Sequence, residues 1–126
     1  MIAARPARSV LYLQATPGMR NDLVEVFRRI DVPGHALQQA GCLSVEVQVP
    51  PDEDGPILVT ALWADRDAYQ GWLDNPWREY SGAELAPFLA EETAAGVVYD
   101  LVLAGGDVSA VAAGAPTADA GTGQTS

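Results

Sequence analysis

Residues 41–63 read GCLSVEVQVPPDEDGPILVTALW, and two strands with a loop between them follow directly from that string. From Leu43 to Val49 the side chains alternate. Leu43, Val45, Val47 and Val49 fall on one face, and Ser44, Glu46 and Gln48 on the other. A period of two predicts a strand with one apolar face. Pro50–Pro56 carries Asp52, Glu53 and Asp54, an acidic loop solvated by water rather than a metal site. Ile57–Trp63 is apolar at nearly every position, the pattern of a strand covered on both faces.

Working outward, Ser9–Ala15 reads as a strand broken by Pro17-Gly18. Met19–Ile30 follows as a helix, because Met19, Leu23, Val26, Phe27 and Ile30 recur at spacings of three and four. Asp31–Gly34 is expected to be a turn, and His35–Ala40 a single helical turn ended by Gly41. On the other side, Asp65 or Asp67 can cap a helix reaching Leu73, with Ala68, Tyr69, Trp72 and Leu73 presented inward. Asn75-Pro76 breaks it. A short helical stretch follows, and Ala83–Glu92 places Leu85, Phe88 and Leu89 on one side. Gly96 precedes a last strand, Val97–Leu103.

The order β-α-β-β-α-β predicts an α+β, ferredoxin-like fold: one four-stranded antiparallel sheet with helices on one face. Too many positions on the other face are apolar for it to stand in water. A second copy is the natural cover, giving a dimeric α/β barrel. The domain is expected over residues 9–103, after an N-terminal arm at 1–8. Residues 104–126 are small, Gly-, Ser- and Thr-rich and without aromatics, so a disordered tail is expected there.

Composition narrows the function. The 126 residues suit one domain, and 48% hydrophobic residues suit a packed core. The net charge is −10, from 17 acids and 7 bases, all of the latter arginine. No basic cluster exists to displace counterions from phosphates, so nucleic acid is not an expected partner. The same charge disfavours anionic membrane surfaces. The stretch after Arg5 and Arg8 turns polar too soon for a signal peptide, and no run approaches the ~20 apolar residues that span a bilayer. The expectation is a cytoplasmic protein. Cys42 alone cannot form an internal disulfide, and no Cys/His cluster has zinc spacing. No Gly-rich phosphate loop or dinucleotide fingerprint is present, so neither metal nor cofactor is expected.

Gly41-Cys42-Leu43-Ser44-Val45-Glu46 resembles the lead-in to the second strand of antibiotic-biosynthesis monooxygenase domains. Leu62-Trp63, then Ala64-Asp65-Arg66-Asp67-Ala68-Tyr69, then Trp72-Leu73-Asp74-Asn75-Pro76, resembles that family's tryptophan segment. The likeness extends in order and spacing over most of residues 9–103. It implies a homodimer with two sheets packed as a barrel. It also implies oxidation of phenolic or anthrone-like polyketide intermediates to quinones by molecular oxygen, with no metal or flavin. Triplet dioxygen reacts slowly with closed-shell molecules, but an electron-rich phenolate or enolate can pass it an electron directly. The protein then supplies shape and electrostatics. Haem-degrading relatives place a histidine ligand in the helix after the strand-end tryptophan; here that region has none.

Trp63 has two readings: a core residue at a strand end, or a pocket wall whose indole N–H faces substrate or oxygen. The resemblance favours the second. Trp72 reads more as core, and Trp77, after a proline, as lining a pocket mouth. His35 is the only histidine and the only ready general base near neutrality. Tyr12, Tyr69, Tyr80 and Tyr99 are hydrogen-bond donors or core residues. Tyr80 and Arg78 follow the Asn75-Pro76 break and are expected to face the cavity. Asn75 either orients oxygen or a carbonyl or simply shapes a turn. Cys42 is expected to be buried and inert. The working assignment gives Trp63, His35 and Tyr80 to catalysis, and Tyr12, Trp72, Asn75, Trp77 and Arg78 to substrate binding. Two other functions fit the same barrel: a cyclase or isomerase using acid–base groups, and a non-catalytic small-molecule-binding accessory dimer.

Overall fold

The computed structural model describes residues 5–90 and 96–106. Four strands form one antiparallel sheet in the order β2-β3-β1-β4: β1 Ala7–Leu13, β2 Cys42–Gln48, β3 Ile57–Trp63 and β4 Val97–Asp100. Helices α1 (Arg20–Arg29) and α2 (Val32–Leu37) connect β1 to β2. Helices α3 (Arg66–Leu73) and α4 (Trp77–Leu85), with a 3-10 turn at Ala86–Phe88, lie between β3 and β4. Each connection links two parallel strands across one intervening strand, which is the ferredoxin-like plan. No helix among the described residues is long and apolar enough to cross a membrane.

Register fixes which side chains share a face. Ala7, Ser9, Leu11 and Leu13 pair with Trp63, Ala61, Val59 and Ile57. Because strand side chains alternate, these eight lie on the helix-covered face. One core cluster joins Leu13 and Ile57 to Leu23, Val26 and Phe27 of α1, and a second joins Ala7, Ala61 and Trp63 to Tyr69 of α3. The opposite face carries Val10, Tyr12, Leu58, Thr60, Leu62, Val97 and Tyr99. Tyr12, Val97 and Tyr99 there are 57%, 43% and 54% exposed, while Thr60 and Leu62 are buried.

Several elements differ from expectation for identifiable reasons. β1 begins at Ala7 rather than Ser9, because Ala7 is paired on both sides, with Trp63 and with Asp100. Residues 7 and 8 of the expected arm are therefore strand, and residues 1–4 lie outside those described. A bulge between Cys42 and Ser44 takes Leu43 out of the alternation and leaves it exposed. The expected turn at Asp31–Gly34 is instead the start of α2. Asp31 adopts φ 56° and its carboxylate accepts the Gly34 N–H at 3.1 Å, with Pro33 in the first turn. Over its described residues, 83–90, the stretch Ala83–Glu92 is not one helix. α4 runs to Leu85, and the chain tightens through the 3-10 turn at Pro87, which lacks the N–H an α-helix needs. Leu89 then bridges to Ala15. β4 stops at Asp100, not Leu103: Leu101 donates to the Pro6 carbonyl at 2.8 Å, and Pro6 has no N–H to return. Most of the expected tail, residues 107–126, lies outside the described residues.

Candidate functional site

Between the sheet and α4 lies a cavity of about 530 Å³, inside the ~300–1,000 Å³ range of small-molecule sites. Leu11, Leu13 and Val59 of the sheet form its floor, with Phe27 and Val32 at the side. The roof is Trp72 of α3 and the inward stripe of α4: Arg78, Ser81, Gly82 and Leu85, continued by Ala86. That stripe follows from sequence, since residues three and four apart share a helix face. A smaller recess of about 60 Å³ shares Leu11, Val32, Val59, Trp72 and Arg78 with the cavity and ends against Ser9, Trp63, Tyr69 and Gly96.

The local sequence explains why these groups are held where they are. Asp65 is the α3 cap: its carboxylate accepts the Ala68 N–H at 2.9 Å, so the helix starts on the residue after β3 has turned. One turn on, Tyr69 is buried, with its ring 5.6 Å from that of Trp63. Asn75 accepts the Trp77 N–H at 2.9 Å and so folds the chain from α3 into α4. That reversal brings Arg78 back over the cavity, with its guanidinium 5.9 Å from the centre of the Trp72 ring.

The electrostatics are simple. The lining is mostly aliphatic and aromatic, and Arg78 is the one charged side chain in it among the described residues. Among the described residues no carboxylate forms a salt bridge with Arg78. The Ser81 hydroxyl is turned back to the Arg78 carbonyl at 3.1 Å. Burial pushes the Tyr69 phenol up from its ordinary value, and the Arg78 charge only partly offsets this, so Tyr69 is a neutral donor at pH 7. Its hydroxyl lies close to Gly96: a β-carbon there would sit 2.7 Å from it. Burial also pushes the Cys42 thiol up, which works against thiolate chemistry. Among the described residues no group of three or more His, Cys, Asp or Glu side chains could hold a metal.

The eight sequence-derived candidates are divided by this geometry. Trp72 and Arg78 line the cavity, and Trp63 joins them at the recess. Trp63 is 1% exposed and its indole N–H donates to Ser9 Oγ at 3.0 Å, so that donor is already engaged by the protein. His35 lies on α2, stacked on Trp77 with ring centroids 3.9 Å apart and planes at 14°. Trp77 also meets Trp72 at 6.1 Å and Tyr80 at 5.9 Å. His35, Trp77 and Tyr80 thus form an aromatic cluster beside Trp72, outside the lining of the cavity. Asn75 sits at a surface depression with Asp74 and Pro76, where its side chain shapes the turn. Tyr12 is on the other face of the sheet, because it is an odd number of residues from Ser9 and Leu11.

Ser9, Ser81 and Gly82 were not singled out from sequence. Ser9 had a readable signal: it is the polar residue on the inward parity of a strand otherwise Ala7, Leu11 and Leu13. Ser81 and Gly82 had none, because the α4 periodicity is weak around Trp77–Ala83.

The family model described as antibiotic biosynthesis monooxygenase matches residues 6–79. No match is found among curated proteins. Solved structures show the same fold at low identity. A Chloroflexus aurantiacus protein assigned to that family is 22% identical, with a TM-score of 0.60 over 80% of this chain and 97% of that one. A Caulobacter crescentus protein so assigned is 21% identical, with a TM-score of 0.66 over 79% and 92%. SnoaB of Streptomyces nogalater, a cofactor-independent oxygenase, is 19% identical, with a TM-score of 0.64 over 78% and 94%. With more than half of its length matched by the family model, this chain belongs to the antibiotic biosynthesis monooxygenase family.

Proposed function

We propose that this chain is a cofactor-independent monooxygenase. It oxidises a phenolic or anthrone-like polycyclic intermediate to a quinone in polyketide (antibiotic) biosynthesis. The observation that carries this reading is the apolar cavity of about 530 Å³ with Arg78 as the one charge among its described lining residues and Tyr69 as a neutral donor nearby. An apolar slot accepts fused rings. A cation in it lowers the cost of ionising a phenol or anthrone carbon acid.

The chemistry then needs little else. The bound anion gives one electron to dioxygen, and the resulting carbon radical and superoxide combine to form a C–O bond. The hydroperoxide loses water, so one CH₂ and one O₂ become one C=O and one H₂O. Arg78 faces the negative charge before and after electron transfer. Tyr69 can donate a hydrogen bond to the peroxide oxygen. The Trp63–Ser9 pair closes the inner end of the recess.

The working unit is a homodimer. Tyr12, Val97 and Tyr99 lie on a face of the sheet where the described residues of one chain leave them exposed, with Val10 and Leu58 half-buried beside them, and a second sheet would bury them. Sedimentation at micromolar concentration should give twice the chain mass; a clean monomer would refute the dimer.

The test of the reaction is an oxygen electrode with 1,8-dihydroxyanthrone and chelator-treated protein. One O₂ consumed per quinone formed supports it. Conversion of a polyketide-like substrate without O₂ uptake would point instead to a cyclase or isomerase, and tight binding without turnover to an accessory binding dimer.

A further inference from the structure

Other helix glycines meet neighbours. A β-carbon at Gly34 would collide with the Asp31 carboxylate that caps α2, and one at Gly71 would sit 2.6 Å from Nε2 at the end of the Gln39 side chain. Gly82 is different. It lies inside α4, its φ is not in the left-handed region, and a β-carbon there would meet nothing within 4 Å among the described residues. Glycine in a helix interior is the poorest choice after proline for helix stability. Neither backbone conformation nor close packing requires it here. What Gly82 does is line the cavity.

We infer that Gly82 is a specificity-determining residue: it keeps the α4 wall bare so that a flat, multi-ring substrate lies against the helix backbone, and a side chain there would restrict the cavity to single-ring ligands. The inference rests on the proposed oxygenase reading for the kind of ring, and on the cavity alone for its shape. The neighbouring wall agrees with it. Ser81 is buried with its hydroxyl turned away to the Arg78 carbonyl, and Ala86 is small. From Arg78 to Ala86 the stripe runs eight residues, about 12 Å at 1.5 Å per residue. That length suits three linearly fused rings, with the ionised oxygen at Arg78, the middle ring over Gly82 and the far ring against Leu85. Val59 and Leu11 of the sheet form the opposing surface.

The experiment compares the full-length wild type with Gly82→Ala and Gly82→Leu. Two probes are titrated by tryptophan fluorescence and calorimetry: 1,8-dihydroxyanthraquinone, with three rings, and catechol, with one. Both variants should melt at or above the wild-type temperature, because the new side chain enters open space and a helix glycine is removed. Gly82→Leu should weaken the three-ring probe roughly tenfold or more and leave catechol unchanged. Gly82→Ala should give a smaller loss in the same direction, and it decides the matter alone if the leucine variant does not fold. Equal binding of the three-ring probe to all three proteins, a loss shared by catechol, or no wild-type binding of the three-ring probe overturns the inference. Binding does not depend on turnover. Wild-type binding of the anthraquinone without oxygen uptake on the anthrone would sink the oxygenase reading and leave the slot in place.

Discussion

Replacing Trp63 by Phe, Ser9 by Ala, and then both, separates a structural indole from a catalytic one. Trp63 is 1% exposed and Ser9 8%, and the indole N–H reaches Ser9 Oγ at 3.0 Å. Ser9→Ala leaves the indole N–H buried without its partner, which costs about 1–3 kcal/mol. Trp63→Phe removes part of a core side chain and also deprives Ser9 of its donor, for about 2–4 kcal/mol in all. In the double variant no polar group is left unpaired. Its cost should therefore fall below the sum of the singles by about 1–2 kcal/mol. Urea unfolding followed by circular dichroism gives the three differences, provided the slope with denaturant stays constant. Turnover per folded molecule should stay within about tenfold of wild type in Trp63→Phe, because the donor it removes is held by Ser9 rather than offered to oxygen. Two results would refute this reasoning. Strict additivity would mean the bond has no energetic weight. A loss on the order of 10²-fold in normalised turnover, with little change in stability, would mean that the indole acts on the reacting oxygen.

Three further outcomes follow from the same structure. Arg78→Gln should fold as the wild type does, since among the described residues Arg78 forms no salt bridge. It should lose on the order of 10²-fold in turnover and raise the pKa of a bound phenol, read from the phenolate absorbance; an unchanged absorbance titration would remove Arg78 from the site. Asp65→Ala should cost about 1 kcal/mol through the lost α3 cap, measured by urea midpoint, and Asp65→Asn should recover most of it. Asp100 is held below the usual carboxylate range by the Arg66 guanidinium, which donates to both its oxygens at 2.8 and 2.7 Å. A depressed acid stabilises the fold above its unfolded pKa of ~3.9 and loses that contribution as pH falls through its folded value. Arg66→Gln should therefore flatten the melting-temperature curve in that acid window and leave its neutral-to-alkaline shape alone.

The strands were legible because their signals are local: past the bulge at Leu43, Ser44–Gln48 alternates with a period of two, and Ile57–Trp63 is a short run apolar at nearly every position. Where the structure departs, a single residue is responsible. Pro87 turns a continuous apolar stripe into a 3-10 turn, and Pro6 ends a ladder that Val97–Leu103 could otherwise have extended. Both effects depend on what the proline's missing N–H would have met, and for Pro6 that partner is Leu101, far away in sequence. The site was less legible for a related reason. Aromatic residues draw the eye in sequence, but packing sent them to two different places. Trp63 and Trp72 reached the cavity and recess, while His35, Trp77 and Tyr80 satisfy one another beside it. Gly82 leaves no mark in a hydrophobic pattern at all.

These placements make one demand on the chemistry. Catalysis with a general base requires a titratable side chain within hydrogen-bond reach of the proton removed. His35 is stacked face to face on Trp77 and does not line the cavity. Arg78 does line it and carries a fixed charge, which favours the substrate anion without taking the proton itself. In the proposed reaction, the site would promote ionisation by stabilising the product of proton loss, with water as the acceptor. The rate should then follow the substrate's own acidity as shifted by Arg78. A series of anthrones of graded acidity is the direct check. The pH midpoint of turnover should move with the substrate, by close to one unit per unit, in both the wild type and His35→Ala. A midpoint fixed near the ~6.5 of an imidazole across the series, and abolished in His35→Ala, would restore His35 as the base and require α2 to move during turnover.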